Sequence, residues 1–117
     1  MTNDTYYKGF EGEGEICFTS GENNLIIWEG YFDTLYHSIF DKAEKGGMME
    51  AYTKCEDGYD WVPGRPEDVE KTIRQLSCFT KDDPALPTWK EELEEVKNII
   101  ISFLQQNKNR KMHVEFD

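Results

Sequence analysis

Cysteine and histidine are the residue types in this chain best suited to hold a metal or attack an electrophile. Cys17, Cys55, Cys78, His37 and His113 are widely spaced, and no C-x-x-C brings two of them together. That spacing predicts no metal site and no cofactor. Nucleophilic catalysis needs a serine or cysteine beside a base, and no G-x-S-x-G elbow is present. Cys55 is followed by Glu56 and Asp57, whose charges would keep its thiol protonated rather than activate it. Cys17 and Cys78 lie among apolar neighbours and are expected to be small buried hydrophobes. Gly9, Gly12 and Gly14 suggest a phosphate loop at first sight. Glu11, Glu13 and Glu15 would repel a phosphate, however, and no Lys-Ser or Lys-Thr follows. No catalytic residue is expected.

Carboxylates are plentiful, and any two of them could meet in space to do acid-base work. The run Glu91-Glu92-x-Glu94-Glu95 reads more simply as the solvated, dipole-favoured start of a helix. One segment reads differently. Tyr52, Tyr59 and Trp61 interleave with Glu56, Asp57 and Asp60 around Gly58, where hydrophobic periodicity is weak. Aromatic rings anchor protein interfaces because they bring large area at little cost in side-chain entropy. Neighbouring acids would steer and pair with basic residues of a partner. Tyr52, Glu56, Asp57, Tyr59, Asp60 and Trp61 are therefore the candidate partner-binding residues. The plainer alternative has Tyr59 and Trp61 covering the core while the acids face water.

The elements that must position these residues follow from periodicity. The opening is polar and glycine-punctuated, so residues 1–12 are expected to be flexible. Glu15–Thr19 and Leu25–Trp28 read as strands joined by the turn residues Ser20-Gly21-Glu22-Asn23-Asn24, a hairpin. Phe32, Leu35, Tyr36, Ile39, Phe40 and Ala43 form one apolar stripe of a helix that begins near Tyr31 and stops at Gly46-Gly47. Met48 to Trp61 fits helix or strand. Pro66, with Glu67 and Asp68 behind it, opens a second helix carrying Val69, Ile73 and Leu76. Thr88-Trp89-Lys90-Glu91 has the pattern of a capping box before a long third helix. Met112, Val114 and Phe116 alternate with polar residues as a closing edge strand. The expected fold class is α+β: a single domain over 1–117, with a small, mostly antiparallel sheet of two to four strands packed with three helices.

Charge narrows the function. The chain has 117 residues and a formal net charge of −11. Eight acids and a single base, Lys8, fall before residue 42. Such a field disfavours nucleic acid and anionic membrane surfaces, and favours a basic protein partner. The alternative is that the charge only keeps the domain in solution. Three cysteines without a framework suit a reducing compartment, and the first residues show no signal-peptide pattern. Ile99-Ile100-Ile101 is too short to span a bilayer. The expected location is cytoplasmic, and the expected state is a monomer or a weak homodimer paired through the Met112–Phe116 edge.

Two segments carry a resemblance. Trp28-Glu29-Gly30-Tyr31-Phe32-Asp33-Thr34-Leu35-Tyr36-His37-Ser38-Ile39-Phe40 resembles the strand-then-aromatic-helix opening of some bacterial immunity proteins. The helix after Thr88, followed by Lys111-Met112-His113-Val114-Glu115-Phe116, resembles their helix-and-strand ending. The chain is in overall form similar to immunity proteins of polymorphic and contact-dependent growth inhibition toxin systems. The resemblance implies a non-enzymatic protein that binds and neutralises a cognate toxin domain, often a nuclease. A regulatory or adaptor module, including a phage-type inhibitor, would share these features, and a small enzyme working through carboxylates is the third alternative.

Overall fold

The predicted hairpin lies at the centre of a four-stranded sheet. The computed structural model describes residues 1–54 and 60–116. Strands β1 (Thr2–Tyr6), β2 (Glu15–Ser20), β3 (Asn23–Trp28) and β4 (His113–Phe116) assemble in the order β1-β3-β2-β4. β2 pairs antiparallel with both β3 and β4, while β1 pairs parallel with β3. The fold is α+β and the sheet mostly antiparallel.

Alternation along the strands sorts their side chains. Ile16, Phe18, Leu25, Ile27 and Val114 are buried on one face, whereas Glu15, Cys17, Thr19 and Ile26 are half-buried on the other. Side chains of period two cannot share a face with their neighbours, so one apolar set fixes the register. The helices α1 (Glu29–Ile39), α2 (Gly47–Thr53), α3 (Pro66–Leu76) and α4 (Lys90–Asn107) contribute to the same core. Phe32, Leu35, Tyr36 and Ile39 of α1 and Leu93, Val96, Ile100 and Leu104 of α4 are buried. Among the described residues, no helix is long and apolar enough to cross a membrane.

Several expectations need correction. The opening is a strand: the Asn24 amide donates to the Met1 carbonyl at 2.9 Å, and Thr2 to Tyr6 run beside β3. The described residues hold four helices, because α2 forms within the ambiguous stretch after Gly46 and Gly47, both at positive φ. Gln75, fully buried, clamps that turn by donating to the Glu44 and Gly46 carbonyls at 2.9 and 2.7 Å. Phe40, expected in the buried stripe, is exposed under the Lys45 ammonium. Cys17 and Cys78 are half-buried. Burial pushes the Cys17 thiol up; the Thr19 hydrogen bond opposes this, and Glu115 and Glu15 reinforce it.

The capping box does not form. Trp89, not Thr88, is the N-cap of α4, and no side chain caps it. Glu91 instead accepts from the Lys81 ammonium at 3.1 Å. At the far edge, Trp61 and Val114 exchange backbone hydrogen bonds of 2.9 and 2.8 Å. That bridge occupies the outer side of β4 at Val114, leaving less of the edge for a second copy to pair with.

Candidate functional site

Four rings from separate parts of the chain meet where β3 gives way to α1. Trp28 ends β3 in extended conformation, and no side chain caps α1. Its ring folds back over Gly30, where a Cβ would lie 2.4 Å from ring atoms. Phe10 stacks on Trp28, with centroids 4.0 Å apart and planes 5° from parallel. Tyr31, near the start of α1, meets Trp28 and Phe10 edge-on at 5.1 and 5.6 Å. Trp89, before α4, closes the group at 5.6 Å from Tyr31 and 6.1 Å from Trp28. The edge-to-face contacts of Tyr31 fall in the favoured range for ring pairs. All four rings are half-buried.

The loop carrying Phe10 is built by successive turns. The Tyr7 amide donates to Asp4, Phe10 to Tyr7, and Glu13 to Phe10, at 2.9 to 3.0 Å. The Tyr7 hydroxyl donates to the Glu13 carbonyl at 2.8 Å. Gly9 and Gly12 sit at φ of 93° and 95°, which a side chain would oppose. The acidic, glycine-spaced entry thus serves the architecture by presenting Phe10 to Trp28.

Six glutamates lie near the ring-bearing residues in sequence or in strand register. Glu11 and Glu13 belong to the same loop, Glu15 is the cross-strand partner of Trp28, and Glu29 follows Trp28. Glu92 and Glu95 come from α4. Burial pushes the Tyr31 hydroxyl pKa up, and Glu92 and Glu95 add to the effect. Tyr6 is raised in the same way, by burial and then by Glu95. Both phenols therefore keep their protons and remain neutral donors. Among the described residues, none of these six glutamates makes an ion pair, and no cation lies over the four rings.

Elsewhere the chain uses its cations. Arg74 holds Glu44 at 2.7 Å, and its guanidinium lowers the Glu44 pKa. Within the acidic run of α4, Glu91 pairs with Lys81 and Glu94 with Lys97 at 2.9 Å; Glu92 and Glu95, beside Tyr31, are left over. Four further bases gather at the other end. Arg65, Lys108, Arg110 and Lys111 line one shallow cavity, and Arg110 and Lys111 also flank the β2–β3 turn. The six residues of β3 separate that turn from Trp28 by roughly 17 Å. The molecule therefore has a four-ring pole, with Glu92 and Glu95 acting on Tyr31, and a cluster of bases at the other end of β3.

Of the residues singled out from the sequence, Tyr52 and Trp61 do not belong to an exposed surface. Tyr52 is 6% exposed, packs edge-on against Phe32, Tyr36 and Phe116, and donates its hydroxyl to Asp33 at 2.8 Å. Trp61 is 7% exposed and bridges to β4. Burying rings of this size yields more than leaving them in water, so both are core residues rather than exposed anchors. Asp60 is exposed, and Glu56, Asp57 and Tyr59 lie outside the described residues. Among the described residues, no group of three or more His, Cys, Asp or Glu side chains could hold a metal ion. No family model matches this chain, and no curated protein or solved structure matches it.

Gly30→Ala tests how the pole is built. Alanine in place of helical glycine ordinarily stabilises by about 1 kcal/mol. Here its Cβ must displace the Trp28 ring, so near-ultraviolet circular dichroism should lose the Phe10–Trp28 signature while far-ultraviolet helicity persists. An unchanged near-ultraviolet spectrum would show that the ring does not pack over Gly30.

Proposed function

We propose that this protein is a non-catalytic inhibitor that binds a basic toxin domain, in the manner of an immunity protein. The supporting observation is the pole of half-buried rings beside Glu92 and Glu95, which act on Tyr31 and, among the described residues, make no ion pair. Rings supply desolvated anchor area, and such carboxylates supply steering and complementarity toward basic ground. If the toxin is a nuclease, these carboxylates meet the surface that receives substrate phosphates, and occupying it stops the reaction. The protein acts in the cytoplasm, where such a toxin does its damage.

The test mixes the purified protein with the C-terminal domain encoded by the adjacent gene. The expected result is a 1:1 complex that abolishes toxicity and loosens as salt is raised. No complex at low ionic strength would refute the reading.

A further inference from the structure

We infer that the aromatic pole is the docking surface and that it seats an arginine-bearing segment of the basic partner, in preference to a lysine-bearing one. The inference rests on the proposed function and specifies the chemistry of the partner.

Phe10, Trp28, Tyr31 and Trp89 keep part of their surface in water although each is packed on its neighbours. Solvent-facing aromatic area attracts cations electrostatically. The chain itself shows this chemistry: Lys45 lies 4.7 Å from the centre of the exposed Phe40 ring. Among the described residues, no such cation covers the four-ring cluster. A cation brought by a partner would complete it.

The carboxylates decide which cation fits. Glu92 and Glu95 stand three residues apart on α4, and like charges at that spacing disfavour the isolated helix. Both act on Tyr31, adding to the burial that raises its hydroxyl pKa. A guanidinium is planar and weakly hydrated, and it presents a fork of N–H donors. It can lie against a ring while donating to a carboxylate beside it. An ammonium is a compact, strongly hydrated point charge and gives up more hydration for the same place.

Titrating the full chain with octapeptides of alternating glycine and arginine, glycine and lysine, or glycine and citrulline tests this. Tryptophan emission is the readout, since Trp28 and Trp89 belong to the pole and Trp61 is buried. At 150 mM salt the arginine peptide should bind about fivefold more tightly than the lysine peptide, and the citrulline peptide should leave emission unchanged. Glu92→Gln with Glu95→Gln, which keeps the side-chain shape at exposed positions, should erase the preference. Equal affinity for arginine and lysine peptides, or no arginine binding, overturns the inference. A toxin complex that forms but ignores both Trp89→Phe and the double glutamine variant overturns it too, while leaving the inhibitor reading intact. Absence of any toxin complex sinks that reading instead, and the peptide preference is judged independently.

Discussion

Reversing Glu92 and Glu95 to lysine should weaken the proposed toxin complex about 100-fold or more at low salt, because like charges placed across an interface are strongly repulsive. Both side chains are exposed and make no ion pair among the described residues, so the fold should survive the change. Most of the loss should fall on the association rate, since long-range attraction acts before contact. It should shrink as salt shortens the range of the field. Stopped-flow mixing at two ionic strengths measures this directly. An association rate within twofold of the unaltered protein at low salt would show that the partner approaches another side. Reversing Asp82 and Asp83, which lie in the loop before α4, is the control and should cost far less.

The second large effect concerns stability. Phe18 is fully buried at the middle of β2, paired across to Leu25 and Val114, and meets Phe103 edge-on at 5.9 Å. Phe18→Ala removes a ring where sheet and α4 join and leaves a cavity that neighbouring strands cannot readily close. The expected loss is about 3–5 kcal/mol, a large share of the roughly 5–15 kcal/mol that holds a domain together. Urea unfolding should show a lower midpoint with an unchanged slope. Phe40→Ala serves for comparison, because Phe40 is 41% exposed. If the two substitutions cost the same, the core does not lie between the sheet and the helices.

Much of the fold is legible in the sequence because burial follows periodicity. The stripe from Phe32 to Ile39 and the alternation of Ile16 and Phe18 each name their own buried face. Thr2–Tyr6 carries no such signal. The segment is short and polar, and it becomes a strand through parallel pairing with β3, a contact made over about 22 residues of chain. α2 escapes for a different reason: the two glycines read as the stop of the first helix, but α1 ends at Ile39 and they form the turn into α2, held by Gln75 from α3. The capping box fails because Glu91 is taken by Lys81, a partner that local sequence does not reveal.

The candidate site is harder to see for the same reason. Tyr52, Tyr59 and Trp61 are neighbours in sequence, so their rings and acids read as one surface; Tyr52 and Trp61 are spent on the core. The rings that do meet come from the entry loop, the end of β3, the start of α1 and the residue before α4. Trp28-Glu29-Gly30-Tyr31 holds a local hint, a glycine flanked by two aromatics at a strand-to-helix junction. Phe10 and Trp89, nearly eighty residues apart, reach it only through the fold.

Hydrogen exchange of the backbone, compared for the free chain and its complex with the proposed toxin domain, tests the central claim most directly. Protection should appear in the Phe10 loop, across the Trp28–Tyr31 junction and along the first turns of α4. Protection confined to the basic end around Arg110 and Lys111, with those three segments exchanging as before, would contradict it.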